Sequence, residues 1–221
     1  MKRTVIFDLD GTLADTSADL IRAANVALAG LGTTGRLDHG VPEDRATALK
    51  GGRAMLRLGL SKAGAVDEAV VDRGYRPLLD AYDRDVASET RFYPGALDAV
   101  ERLLGRGDRV GICTNKPEGL AEKLLAALGV RDRFHSLVGA DTLPVRKPDP
   151  LHYTETVARA GGDVGRSVLI GDTKTDRDTA TAVGVPCVLV TFAGHDLSGL
   201  AAEAMLDDYA DLEQVVDGLL G

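Results

Sequence analysis

Thr4-Val5-Ile6-Phe7-Asp8-Leu9-Asp10-Gly11-Thr12-Leu13 decides how the rest of the chain is read. A short β-branched and apolar run, the pattern of a strand buried on both faces, ends in two acids one residue apart and then a glycine. Side chains alternate along a strand, so Asp8 and Asp10 begin on the same side. Two carboxylates that close must share a proton or a cation, and magnesium suits clustered carboxylate oxygens while leaving positions for water and a phosphate.

Four further runs share the character of Thr4–Phe7: Arg109–Cys113, Ser136–Val138, Ser167–Ile170 and Cys187–Thr191. Helical spacing of apolar residues fills the gaps at Gly95–Leu104, Gly119–Leu128 and Leu151–Ala160, and a last short helix pattern occupies Asp207–Leu220. This alternation predicts the α/β class: a Rossmann-like, doubly wound parallel sheet that binds ligands beyond the carboxyl ends of its strands. Residues 17–88 break it with helices in succession (Ser17–Leu28, about Arg45–Leu60, Asp67–Asp85), joined at Gly-rich points. They read as a helical insertion, leaving 1–16 and 89–221 as the core.

Three other strand ends carry polar groups. The second is followed by Thr114-Asn115-Lys116-Pro117, the third by Arg146-Lys147-Pro148-Asp149-Pro150, and the fourth by Gly171-Asp172-Thr173-Lys174-Thr175-Asp176. Prolines flanking Asp149 stiffen its loop and start a helix, so Lys147 is a held cation. Together the ends supply a nucleophile, a second carboxylate for proton transfer, donors for phosphate oxygens and a metal nest, the inventory for phosphoryl transfer through an aspartyl-phosphate.

Composition narrows the alternatives. The chain has 221 residues, 44% hydrophobic and 27% charged, the balance of a folded globular protein. Its 26 Lys+Arg against 34 Asp+Glu give a net charge of -8 without a basic cluster, which argues against nucleic acid as a partner. Two cysteines, Cys113 and Cys187, sit inside apolar runs and read as core residues of a cytoplasmic protein. No apolar run is long enough for a membrane span or a signal-peptide core. Gly30-Leu31-Gly32-Thr33-Thr34-Gly35 matches a dinucleotide-binding fingerprint in letters, but it follows a helix pattern instead of a strand. A phospho-accepting signalling domain also combines acids, a Thr and a Lys on a parallel sheet, yet its acceptor stands on a middle strand and it lacks such an insertion.

The chain resembles haloacid dehalogenase superfamily phosphatases, and among them the phosphoglycolate phosphatase branch. The matching stretches are DLDGTLADT (8–16), YPGALDAVERL (93–103), ICTNKP (112–117), GADTLPVRKPDP (139–150) and GDTKTDRDTA (171–180), in the family's order. The resemblance implies that Asp8 is the nucleophile and Asp10 the general acid/base, with Thr114 and Lys147 on the phosphoryl oxygens and Asn115 beside them. It implies Mg2+ held by Asp8, the Asp10 carbonyl and Asp172, with Asp176 in or just behind that shell. The insertion would be the family's C1 cap, in which Lys50 and Arg53 would meet a small carboxylate. The implied activity is hydrolysis of a small phosphorylated metabolite, 2-phosphoglycolate first, by a monomer or homodimer without nucleic-acid or membrane partners. Alternatives on the same motifs are a nucleotide, pyrophosphate or sugar phosphate as substrate, or a phosphomutase.

Other residues near these motifs read as structural. Lys116 and Lys174 are ordinary helix-start surface lysines, Asp178 a solvated helix charge, Asp15 a turn former and His195 a loop histidine. His39, His135 and His152 show no ligand spacing. Arg177 and Thr179 make the helix after Asp172 more polar than the family pattern.

Overall fold

A computed structural model of the protein describes residues 2–221. In chain order the elements are β1 (Thr4–Phe7), β2 (Ala14–Asp15), α1 (Ser17–Gly30), α2 (Pro42–Ala48), α3 (Gly52–Lys62), α4 (Glu68–Arg84), β3 (Arg91–Phe92), α5 (Ala96–Gly105), β4 (Arg109–Cys113), α6 (Glu118–Ala127), β5 (Ser136–Val138), α7 (Pro150–Arg159), β6 (Ser167–Gly171), α8 (Lys174–Val183), β7 (Cys187–Val190), β8 (Ala204–Leu206) and α9 (Leu212–Leu220).

One sheet runs β5-β4-β1-β6-β7-β8, and every neighbouring pair in it is parallel. The chain starts at the centre, builds to one edge, and returns to build the other. The strand order therefore reverses beside β1, the point at which an open α/β sheet forms its ligand crevice. Phe7 stands opposite both Ile112 and Ile170, so Asp8 emerges between the ends of β4 and β6. β1, β6 and β7 are buried along their whole length. Ile6, Cys113, Leu169, Cys187 and Leu189 from the sheet pack with Tyr153, Val157 and Ala180 from α7 and α8.

The chain divides into two compact units, one running to Ala14 and resuming with Phe92–Gly221, the other Asp15–Arg91. The helical unit thus begins at Asp15 instead of residue 17 and ends at Arg91 instead of residue 88. β2 and β3, two residues each, pair with one another at these crossings. Asp15 Oδ1 accepts from the Ser17 N–H at 3.0 Å and from Ser17 Oγ at 2.5 Å, which makes the turn into α1. Buried Asp19 then collects the Glu89 N–H (3.1 Å), the Thr90 N–H (2.9 Å), Thr90 Oγ1 (2.8 Å) and Arg22 (2.9 Å). Burial opposes its charge, but these donors hold its carboxyl below the usual range.

The helix expected over about Arg45–Leu60 is two helices. α2 stops at Ala48 and α3 starts at Gly52, because Gly51 sits at φ +96°, where a helix cannot continue. The Gly30–Gly35 stretch serves packing: a Cβ on Gly35 would stand 1.8 Å from the Gly59 carbonyl oxygen. β8 was not expected; it extends the sheet past β7, and Thr191, expected within the preceding strand, donates its N–H to Leu206 O at 3.1 Å. Polar α8 is satisfied in place, with Thr179 Oγ1 donating to Thr175 O at 2.7 Å and Arg177 paired to Glu203 at 2.6 Å. No helix among the described residues is long and apolar enough to cross a membrane.

Candidate active site

At the end of β1 the Asp8 N–H completes the ladder to Ile170 O at 2.9 Å, and its Oδ1 accepts from the Leu9 N–H at 2.7 Å. Gly11, at φ +83°, then turns the chain, so that Asp8, Asp10 and Thr12 share one tight loop. Lys147 is the centre of the site. Its Nζ lies 3.0 Å from Asp8 Oδ2 and 2.6 Å from Asp176 Oδ1, and its side chain is 1% exposed. Asp149 caps α7 by accepting from the Leu151 N–H, with Pro150 opening the helix, so the loop carrying Lys147 is fixed just beyond it. Asn115 donates its amide N–H to Lys147 O at 3.1 Å, tying the β4 and β5 loops together. Thr114, buried at the end of β4, donates its N–H to Val138 O at 3.0 Å, and its Oγ1 accepts from the Lys116 N–H.

The β6 end adds Asp172 and Asp176. Thr173 caps α8 and forms a capping box with Asp176, whose Oδ2 accepts from Thr173 Oγ1 (2.6 Å) and the backbone N–H groups of Asp172 (3.2 Å) and Thr173 (3.1 Å). Gly171 makes room for this fold-back, since a Cβ there would lie 2.3 Å from Asp176 Cγ. Asp172 Oδ1 accepts from Thr12 Oγ1 at 2.8 Å. Thr12 is held in turn by Tyr209, whose hydroxyl donates to its carbonyl at 2.8 Å.

Carboxylate oxygens of Asp8, Asp172 and Asp176 lie within 4.8 Å of one another, against the single ammonium of Lys147. Burial, offset by Lys147 and reinforced by Asp176 and Asp172, pushes the Asp8 carboxyl up to about 7. Burial works against the charge of Lys147, but Asp176 and Asp8 outweigh it and hold the amine above its usual range. Burial also raises Asp172, despite His195. The cluster is short of positive charge, and every donor in it is a carboxylate oxygen, the chemistry of a hard divalent cation.

The sequence model of haloacid dehalogenase-like hydrolases matches residues 2–184, a span that includes Asp8, Asp10, Thr12, Thr114, Lys147, Asp172 and Asp176. The chain belongs to the haloacid dehalogenase-like hydrolase family. It is similar to the phosphoglycolate phosphatase of Mesorhizobium japonicum, 40% identical over 193 residues, covering 87% of this chain and 84% of the relative. It is also similar to that of Rhodospirillum rubrum, 36% identical over 96% of this chain and 90% of the relative. Relationship at this level makes the chain a hydrolase of the phosphatase kind. Solved structures agree in fold: a predicted phosphoglycolate phosphatase from Haemophilus somnus superposes with a TM-score of 0.80 at 21% identity, covering 97% of both chains. CbbY from Rhodobacter sphaeroides, solved with phosphate, superposes at 0.71 and 23% identity, covering 98% of this chain and all of the other.

Two groups in this haloacid dehalogenase-like hydrolase differ from their sequence reading. Lys116 is not a surface lysine: it is 7% exposed, with Nζ 3.0 and 3.1 Å from the two carboxylate oxygens of Asp10. His195 is not a free loop histidine; its side chain is 5% exposed, with Nε2 2.9 Å from Asp172 Oδ2, though not aligned for a hydrogen bond. Lys174 is exposed and pairs with Asp178, as an ordinary helix-start lysine does. His152 is a core residue, its Nε2 2.9 Å from Gly139 O and its Nδ1 3.1 Å from Cys113 Sγ. In the helical unit Lys50 is exposed, while Arg53 is ion-paired to Asp72 and stacked 4.6 Å over the Tyr75 ring.

The raised Asp8 carboxyl has a consequence for stability. Between its ordinary value near 4 and about 7 the folded protein binds a proton that the unfolded chain has released, so Asp8's contribution is lost as pH rises through 7. In chelator, the wild type should therefore lose melting temperature relative to Asp8→Asn between pH 5.5 and pH 8. Added Mg2+ should restore more of it at pH 8. A wild-type melting temperature that gains on Asp8→Asn over that range would contradict the assignment.

Proposed function

We propose that the chain is a Mg2+-dependent phosphomonoester hydrolase that works through an aspartyl-phosphate on Asp8, with 2-phosphoglycolate as its substrate. The observation that carries this reading is Asp8 at the strand-order reversal, 3.0 Å from a buried lysine, with a second acid, Asp10, two residues on. The name borne by the relatives supports the choice of ester.

Lys147 and the Thr114 hydroxyl hold the oxygens of the transferring phosphoryl group, which restricts it to one approach and offsets its charge in a water-poor site. An Asp8 oxygen attacks phosphorus, the ester P–O bond breaks with its electron pair on the leaving oxygen, and Asp10 supplies the proton. Asp10 then takes a proton from water, whose oxygen attacks phosphorus and breaks the bond to Asp8, regenerating the carboxylate. Mg2+, held by Asp8, Asp172 and the Asp10 carbonyl with Asp176 behind them, offsets phosphoryl charge when bound. Both Asp176 oxygens are occupied by Lys147 and the start of α8, so this residue positions its neighbours first. Asn115 acts through the Lys147 carbonyl. Buried free thiols Cys113 and Cys187 fit a cytoplasmic setting.

The test is phosphate release from 2-phosphoglycolate, sugar phosphates, nucleotides and pyrophosphate, each with Mg2+ and with chelator. Magnesium-dependent release greatest on 2-phosphoglycolate is expected. A preference for another ester overturns the substrate, and release that survives chelation overturns the metal.

A further inference from the structure

The mechanism above has no task for Lys116, although it is, with Lys147, one of two buried lysines among the described residues. It stands two residues after Thr114, in the loop that leaves β4, and grips both carboxylate oxygens of Asp10 at 3.0 and 3.1 Å. Lys147 is committed to a different pair of acids, Asp8 and Asp176, the first of which receives the phosphoryl group in the proposed reaction. The two cations therefore serve different acids. In the proposed reaction the acid held by Lys147 keeps the phosphoryl half of the substrate, and the acid held by Lys116 gives its proton to the half that departs.

We infer that Lys116 is a specificity-determining residue that binds an anionic group on the leaving half of the substrate. This inference rests on the proposed phosphomonoesterase reading. In 2-phosphoglycolate a single methylene separates the ester oxygen from the carboxylate. An ammonium hydrogen-bonded to the acid that serves this oxygen is thus within a side-chain rotation of the carboxylate. An ammonium turns its three donors about a flexible stem and passes from one carboxylate to another with little rearrangement. Its attachment to Asp10 keeps the cation in place without an uncompensated buried charge. When the substrate carboxylate takes Lys116, the Asp10 carboxyl is released toward the ester oxygen, so an acidic leaving group helps assemble its own site. Of the two residues of the helical unit assigned to this task by resemblance, Arg53 is already held by Asp72 and Tyr75, and Lys50 is exposed.

The experiment measures kcat and KM for 2-phosphoglycolate and for its neutral counterpart, 2-hydroxyethyl phosphate, in the wild type, Lys116→Met and Lys116→Arg. Both substrates slow in Lys116→Met, because Asp10 loses the ammonium that grips both of its oxygens. The ratio of kcat/KM for the acidic over the neutral ester should fall about 10- to 100-fold, the worth of a hydrogen bond to a charged group, with the KM of the acidic ester carrying most of the change. Lys116→Arg, which keeps the charge, should recover most of the ratio, and a melting curve for each variant confirms folding. An unchanged ratio in a folded Lys116→Met protein overturns the inference and reduces Lys116 to a support for Asp10. A wild type that hydrolyses the neutral ester as well as the acidic one overturns the substrate reading instead.

Discussion

Asp8→Asn is expected to lower kcat on the order of 10^4-fold or more while leaving the fold in place. The amide has the size of the carboxyl but cannot form the acyl phosphate, and no other carboxylate in the cluster can replace it. Asp176 is tied by both oxygens to Lys147 and to the start of α8, and Asp172 is anchored to Thr12. Lys147 keeps Asp176 as its partner in the variant, so its charge stays compensated. The check combines turnover with trapping: radiolabelled substrate quenched in acid should leave label on the wild-type chain and none on Asp8→Asn. Activity within tenfold of wild type would sink the covalent route.

Lys147→Ala should damage stability and activity together, which sets it apart from Asp8→Asn. Its ammonium is the cation set between Asp8 and Asp176, with Asp172 close by. Removing one partner from a buried ionic cluster costs about 3–5 kcal/mol, because the remaining charges keep their desolvation penalty. Loss of a preorganised cation on the phosphoryl oxygens should also lower kcat about 10^2- to 10^3-fold. Urea denaturation in chelator measures the first effect, and Mg2+ should return part of it by supplying charge to the same carboxylates. A variant as stable as the wild type in chelator would show that Lys147 does not hold this cluster together.

Much of the core was legible because a parallel sheet covered on both faces writes its strands as unbroken apolar runs, and β1, β4, β5 and β6 were found close to their observed bounds. Asp8, Asp172, Thr114 and Lys147 were legible for a related reason: each polar group ends such a run or the short loop beyond it. β8 was missed because three residues carry too little pattern, and β2 and β3 because two carry none. The break between α2 and α3 hung on the φ of one glycine. Lys116 and His195 were misread because what buries each lies far away in sequence, Asp10 for one and Asp172 for the other. The usable signal for Lys116 was its place two residues after Thr114, on the same crossing of the crevice.

β2 and β3 lie side by side, and Asp19 binds the chain just before β3 to the first turn of α1. The helical insert is therefore a closed loop whose two ends meet. Lengthening or exchanging a segment between adjoining ends costs little closure entropy and leaves the registers of the sheet untouched. Such a splice point lets one set of reacting groups be inherited whole while the insert is traded for another.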